Sequence, residues 1–373
     1  MRILYVLTTL GMGGAEKLAL ALGERMAKRG HKVALLVLMP PVSEEWSTDL
    51  PKIYLYIRRA KLSFLPGLAR ARGFAGGFQP DLIHSHCFHA NIFARLLRLS
   101  APRPAVISTI HNVYEGGWPR MMAYRFTDKL SRQTVAVSEA AMQRFVELKA
   151  VPAQKCRVIA NAIDTAEFAP DANRRAAMRA ETGKLAEPET DFVWLATGRI
   201  APAKDYPNLL RAFARVRASR QNARLWIAGE APGQLLTDLK SLTADLHLTG
   251  SVRWLGLRRD VPALLDAADG FVSASAWEGM PLAVGEAMAL GKPVVATNVG
   301  GVGQLVGDAG IVVPAQSAES LANAMLGVMQ QSGEERCALG RAARQRIVER
   351  FGMDAAADRW EALYREWIGN AEQ

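Results

Sequence analysis

Two glutamates, Glu278 and Glu286, stand seven residues apart in FVSASAWEGMPLAVGEAMALGKPVVATNVGG, residues 271–301. Glu278 falls in a loop after an apolar run that reads as a strand, and Glu286 lies one turn into the helix that follows. Pro281 sits where that helix begins, because its missing N–H is no loss at the first helical position. Residues 293–297 read as a further strand, which runs into a Gly300-Gly301 turn. Two carboxylates thus converge on a helix N-terminus beside loops at the carboxyl ends of neighbouring strands, where open α/β sheets bind ligands. Each can accept two hydrogen bonds from adjacent hydroxyls, which suits a polyhydroxylated ligand. Either acid taken alone would serve as well to complement the helix dipole.

A second constellation changes that balance. ATGRIAPAKDYPNLLRAF, residues 196–213, reads as a strand end followed by Arg199, Lys204 and a new helix. Two cations beside a helix start suit a diphosphate, to which the helix adds N–H donors. Hydroxyl-binding carboxylates and diphosphate-binding cations in one half-chain match the two ends of a nucleotide sugar.

These groups need a frame. At 373 residues the chain exceeds the usual single core, so two domains are expected. Half the residues are hydrophobic and 22% charged, ordinary for a globular protein. No apolar run has the length of a membrane span. The opening MRILYVLTTLGMGG reads as a first strand entering a glycine loop rather than a signal peptide. Cys87, Cys156 and Cys337 are few, odd in number and scattered, which fits a reducing compartment and a cytoplasmic location.

In residues 1–162 short β-branched runs near 2–8, 32–38, 53–57, 81–84, 104–109, 133–137 and 156–160 alternate with helical patterns. The helical patterns cover 15–28, 88–99, 119–131 and 139–149. The alternation lapses between Asn161 and Asp191 and restarts as strands near 192–197, 223–229, 252–255, 270–274, 293–297 and 311–313, again spaced by helices. Strands spaced by helices imply parallel βαβ units. The expectation is α/β, with two Rossmann-like doubly wound domains facing each other across a cleft. Their bounds are 1–162 on the acceptor side and 163–352 on the donor side. A last helix, 353–373, is expected to pack back towards the first domain through Trp360, Leu363, Tyr364 and Trp367.

Charge is distributed unevenly. Residues 1–165 carry 23 Lys and Arg against 11 Asp and Glu, net +12, while residues 166–373 carry 23 against 25, net −2. The first half therefore expects an anionic partner. In KIYLYIRRAKLSFLPGLARARGFAGGF, residues 52–78, Arg58, Arg59, Lys61, Arg70 and Arg72 alternate with Leu62, Phe64, Leu65, Leu68 and Phe74. That pattern fits a helix resting on an anionic lipid surface at the inner face of the membrane, or equally an amphipathic helix packed on its own sheet. Nucleic acid is not expected as a partner, since no recognisable nucleic-acid module is present.

Gly11, Gly13 and Gly14 open the first helix, but Glu16 takes the third glycine place of a dinucleotide fingerprint, and the second strand ends Leu38-Met39-Pro40 without an acid for a ribose diol. Such a turn still cradles an anion. Four of six histidines, His84, His86, His89 and His111, fall within 28 residues. No Cys or carboxylate cluster completes a ligand set, so no metal site is expected. His111 falls just past a strand end.

These motifs together resemble the family 4 retaining glycosyltransferases of GT-B fold across nearly the whole chain. The likeness is carried by the glycine loop at 11–14, DLIHSH at 81–86, STIHN at 108–112, VAVSEA at 135–140, GRIAPAKDYPNLLRAF at 198–213 and WEGMPLAVGEAMALGKPVVATNVGG at 277–301. The last is highly specific. The resemblance implies a nucleotide-sugar donor with no cofactor and no required metal. Arg199 and Lys204 would bind the diphosphate and stabilise its charge on departure, and Glu286 would hold the ribose hydroxyls. Glu278 would contact hydroxyls of the transferred sugar, with Gly279, Met280, Pro281 and Leu282 lining the donor. Gly13 and Gly14 would close over the diphosphate, His111 would lie near the reacting sugar, and His86 and Asn91 would face the acceptor. Ala162 in place of glycine, Asn298 for aspartate and Gly303-Gln304 for Pro-Glu depart from the family pattern without touching those contacts.

The implied reaction is retaining transfer of a hexose-type residue from a nucleotide sugar, a UDP-sugar by expectation, to a carbohydrate or lipid-linked glycan during bacterial surface-polysaccharide assembly. Retention by double displacement needs a nucleophilic carboxylate about 5 Å across the sugar from an acid, and the first domain offers no convincing candidate. A sugar-nucleotide epimerase, a sugar phosphorylase and a non-catalytic nucleotide-sugar binding protein are the rival readings. Release of UDP only when acceptor is present separates transfer from all three.

Overall fold

Val-, Ile- and Leu-rich runs buried on both faces become parallel strands when helices cover both sides of a sheet. Two such sheets form here. The computed structural model describes residues 1–57, 63–100, 104–183, 191–230 and 233–369. The chain divides into unit 1, Met1–Ala162 with Met353–Gln373, and unit 2, Ile163–Gly352.

Unit 1 runs β1 (Arg2–Leu7), α1 (Gly14–Lys28), β2 (Lys32–Val37), β3 (Lys52–Tyr54), α2 (Phe64–Phe78), β4 (Leu82–His86) and α3 (Phe88–Leu97). It continues with β5 (Ala105–Ile110), α4 (Trp118–Thr127), β6 (Gln133–Ala136), α5 (Glu139–Glu147) and β7 (Cys156–Val158). The sheet is parallel throughout, in the order β3-β2-β1-β4-β5-β6-β7. Ser138 begins α5 by accepting the Ala141 N–H.

Unit 2 runs α6 (Ala172–Gly183), β8 (Phe192–Thr197), α7 (Tyr206–Ser219), β9 (Ala223–Ala228), α8 (Gln234–Asp245), β10 (Val252–Gly256), α9 (Val261–Ala267) and β11 (Gly270–Ser273). Then come α10 (Leu282–Ala289), β12 (Val294–Thr297), α11 (Val302–Val306), β13 (Ile311–Val313), α12 (Ala318–Gln330) and α13 (Gly333–Phe351). Its sheet, also parallel, has the order β10-β9-β8-β11-β12-β13. Ser332 and Glu335 close a reciprocal capping box at the start of α13.

The final helix, α14 (Met353–Gly369), belongs to unit 1. Ala357, Trp360, Leu363 and Tyr364 enter the core beside Ile3, Tyr5, Leu22 and Ile107, with Trp367 partly buried against them.

Local departures from the sequence pattern have identifiable causes. The helical pattern at 119–131 stops at Thr127, whose hydroxyl bonds back to the Ala123 carbonyl, and the chain tightens into a 3₁₀ turn, Asp128–Leu130. There Asp128 is buried and paired with Lys155 at 3.0 Å. The basic stretch at 52–78 divides into β3 and α2. Phe64, Leu68, Phe74 and Phe78 of α2 pack on the core of unit 1 around Leu36, Ala71 and Phe93, and Arg70 donates to the Leu55 carbonyl. Arg58, Arg59, Lys61 and Leu62 lie outside the described residues. Among the described residues no helix is long and apolar enough to cross a membrane.

Candidate active site

In each sheet the strand order reverses once, between β1 and β4 in unit 1 and between β8 and β11 in unit 2. Chains leaving the two central strands go to opposite sides there, which opens a crevice at their carboxyl ends. The sequence-assigned residues gather at these two points.

In unit 2, β8 ends at Thr197 and enters Gly198, Arg199 and a 3₁₀ turn, Pro202–Lys204. β11 ends at Ser273 and leads through Ser275 to Glu278. The reversal makes these loops neighbours, and the Ala276 N–H donates to the Ala203 carbonyl at 2.8 Å. The result joins two residues 74 positions apart: Lys204 Nζ donates to Glu278 Oε1 at 2.5 Å, and Ser275 Oγ donates to the same oxygen at 2.8 Å. Glu278 is only 8% exposed. Gly198 makes room for this arrangement. It holds φ +138°, a left-handed conformation suited to glycine, and a side chain there would meet the Lys204 stem at 3.1 Å. Tyr206 donates to the Gly198 carbonyl, its phenol kept protonated by burial and by the nearby Glu278 carboxylate.

Gly279, Met280 and Pro281 are buried in the loop entering α10. Pro281 is the cap residue and Leu282 the first helical position, one residue later than the sequence pattern suggests. Glu286 stands one turn into α10 and is partly buried, while Arg199 is exposed. Behind Glu278, Gly300 adopts φ +55°, and a Cβ there would lie 1.9 Å from the Glu278 carbonyl oxygen. Gly301 N–H donates to the Gly279 carbonyl at 2.6 Å. The glycine pair after β12 therefore lets its backbone close directly onto the Glu278–Gly279 backbone.

In unit 1, Gly13 caps α1 and Gly14 begins it, after the β1 end. His84 and His86 lie on β4, His89 is exposed on α3, and His111 falls just past β5. His84 bonds Tyr364 Oη through Nδ1 and Thr109 Oγ1 through Nε2, each at 2.7 Å, and Tyr364 also meets Tyr5 Oη at 3.0 Å. His86 Nδ1 and His111 Nε2 share a hydrogen bond of 3.0 Å. Burial holds His84 and His86 well below the usual histidine range, and holds His111 down to about 4. All three are neutral at pH 7. They can orient hydroxyls but carry no positive charge to lend. Asn91 is fully buried, accepting from Ser85 and donating to the Thr109 carbonyl and Tyr124 Oη, so its side chain presents nothing to solvent.

Sequence reasoning missed Ser275, Tyr124 and Glu115. Glu115 accepts the His111 backbone N–H at 3.0 Å and the Tyr124 hydroxyl at 2.7 Å, which ties the loop carrying His111 to α4. Burial, only partly offset by these bonds and by Arg120 and Arg95, raises its carboxyl to about 7. The ordinary unfolded value is about 4.3, so the unfolded chain loses this proton first as pH rises. The contribution to stability is complete below that value and disappears as pH climbs through about 7. In chemical denaturation, Glu115→Gln should gain about 1–3 kcal/mol relative to wild type between pH 5 and pH 8. A difference that stays flat across this range would mean that Glu115 ionises like an exposed acid.

The comparisons with known proteins follow the two units. Residues 12–167 match the family described as Glycosyltransferase Family 4, and residues 178–346 match Glycosyl transferases group 1. The chain belongs to the family 4 glycosyltransferases. It is 27% identical over 307 residues to UDP-Gal:alpha-D-GlcNAc-diphosphoundecaprenol alpha-1,3-galactosyltransferase of Escherichia coli, covering 78% of this chain and 76% of that one. It is 25% identical to N-acetyl-alpha-D-glucosaminyl L-malate synthase of Bacillus anthracis, over 95% and 94% of the two chains. Among solved structures, that of Anabaena HepE with UDP and glucose superposes with a TM-score of 0.86 at 20% identity, over 98% of this chain and all of the other. The GT-B fold expected from the motifs is therefore the fold of this glycosyltransferase.

Proposed function

We propose that this glycosyltransferase moves a hexose-type sugar from a UDP-sugar to a carbohydrate or lipid-linked glycan acceptor in bacterial surface-polysaccharide assembly, retaining anomeric configuration and needing no metal. The observation that carries the reading is the Lys204–Glu278 pair, held where β8 and β11 diverge and beside the start of α10. A donor entering there offers Lys204 a diphosphate in exchange for the carboxylate, and frees Glu278 to accept from sugar hydroxyls. Arg199 and the N–H groups at the start of α10 add positive field for the diphosphate. Glu286 takes the ribose hydroxyls. These groups together replace the charge that a divalent ion would otherwise supply.

In the step itself the bond from the anomeric carbon to the diphosphate oxygen breaks, and its electron pair goes to the diphosphate. The acceptor hydroxyl oxygen bonds to the same carbon from the same face, and its proton passes to the departing phosphate. The neutral imidazole of His111 suits an orienting role for hydroxyls, whereas His86, expected to face the acceptor, is buried behind it and bonded to it through Nδ1. The E. coli relative, named for a UDP-sugar donor and a diphosphoundecaprenol-linked acceptor, supports both the base and the acceptor class.

A thermal-shift panel of UDP-, GDP-, ADP- and dTDP-sugars, with and without EDTA, tests the donor. A ligand at a hundred times its dissociation constant adds about 2.7 kcal/mol of stability. UDP-sugars should raise the transition equally with and without EDTA. A shift by GDP-sugars alone would overturn the donor base, and a shift abolished by EDTA would overturn metal-free binding.

A further inference from the structure

Helix α4 has two unlike sides. Met121 and Tyr124 are buried in the core of unit 1, next to Phe145. On the other side Trp118 is 73% exposed and Phe126 is 77% exposed, with Met122 between them. Steps of four residues advance only about 40° around a helix, so the three side chains form one stripe. Arg125 is exposed on the same arc, exposed Lys129 follows in the 3₁₀ turn just past α4, and exposed Arg132 lies beyond it.

The stretch itself supplies no exposed acid to these cations. From Glu115 to Arg132 the only carboxylates are Glu115 and Asp128, both buried, the second already paired with Lys155. Arg132 stands close enough to Arg98 to add, after burial, to the lowering of that guanidinium's pKa. The chain's whole net charge of +10 resides in unit 1, which has 25 Lys and Arg against 15 Asp and Glu, whereas unit 2 has 21 of each.

We propose that the outward face of α4, with Trp118, Met122 and Phe126 flanked by Arg125 and Lys129, seats unit 1 on an anionic lipid bilayer. Aromatic and basic side chains side by side on one arc are the chemistry of a helix lying in the headgroup region, rings among the acyl chains and cations at the phosphates. A second copy of the chain is a poor occupant. An isologous contact would bring this same face against itself and set Arg125 and Lys129 against their own equivalents. The other basic-aromatic stretch, α2, directs Phe64, Leu68, Phe74 and Phe78 into its own core, which leaves Leu65 as its one large exposed apolar side chain among the described residues. The seat rests on the proposed lipid-linked acceptor, because it would hold the enzyme at the surface where that substrate lies.

Flotation with phosphatidylcholine vesicles, with and without phosphatidylglycerol, tests it on the full chain. Wild type should float with the anionic vesicles and detach as salt rises. Trp118→Ser with Phe126→Ser, and separately Arg125→Glu with Lys129→Glu, should each reduce binding at least tenfold while leaving the thermal transition and turnover of a short soluble acceptor unchanged. Arg70→Glu with Arg72→Glu should bind as wild type does. Equal flotation by wild type and both α4 variants, loss in the α2 variant alone, or equal binding to neutral vesicles would each overturn the seat. Anionic-vesicle binding in a protein that turns over no acceptor would leave the seat standing and remove the transfer reading, so the two fail separately.

Discussion

Lys204→Ala should lower kcat by about 10²–10³-fold while changing KM for the donor only a few-fold. In the proposed transfer, charge on the diphosphate grows as the glycosidic bond breaks, so a cation aimed at it would act mainly in the transition state, and losing one such preorganised group typically has this effect. The geometry adds a second expectation. Lys204 and Glu278 share a 2.5 Å hydrogen bond in a largely buried setting, so each governs the other's environment. Lys204→Ala leaves Glu278 with Ser275 as a remaining donor. The double variant with Glu278→Gln should therefore lose less than the product of the two single losses. Steady-state kinetics decides both points. A raised KM with intact kcat would make Lys204 a uniform binder of the donor, and fully multiplicative losses would uncouple the pair.

Glu286→Gln should weaken donor binding by about 1.5–3 kcal/mol, as expected for hydrogen bonds to a charged acceptor. Gln keeps the size of the side chain but offers one neutral carbonyl in place of two charged oxygens. Glu286 sits in the middle of α10 and is partly buried, where Gln fits the same space. Calorimetric titration with the donor measures the loss. Unchanged affinity would return Glu286 to the modest role of an acid in the field of a helix.

Local order in this chain was largely legible from residues close in sequence. The new helix read after Lys204 forms as Tyr206–Ser219, and Asp205 caps it by accepting the Asn208 N–H. Lys204 and Glu278 were each readable from strand-end position and residue type. Their contact was not, because it depends on where the strand order reverses, a property of the whole sheet. Glu115 and Tyr124 were missed for a related reason. Nine residues apart across a loop and a helix, they follow no period, and only folding brings carboxyl, phenol and the His111 amide together. The stretches 52–78 and 114–132 look alike as sequence, both basic and aromatic. Which one turns its rings inward is decided by the neighbours: α2 meets the core side chains Leu36, Ile83 and Phe93, whereas α4 needs only Met121 and Tyr124 to cover its own side.

The partition of the chain also sets an order of events during synthesis. Unit 2 is one continuous segment, Ile163–Gly352, and has all its residues once the ribosome has passed them. Unit 1 is interrupted, and Trp360, Leu363 and Tyr364 emerge last of its core. Until they arrive, His84 lacks its Tyr364 partner, Tyr5 lacks its phenol contact, and the apolar face that α14 covers stays open. The core of unit 1 can thus close fully only after every residue of unit 2 has been made.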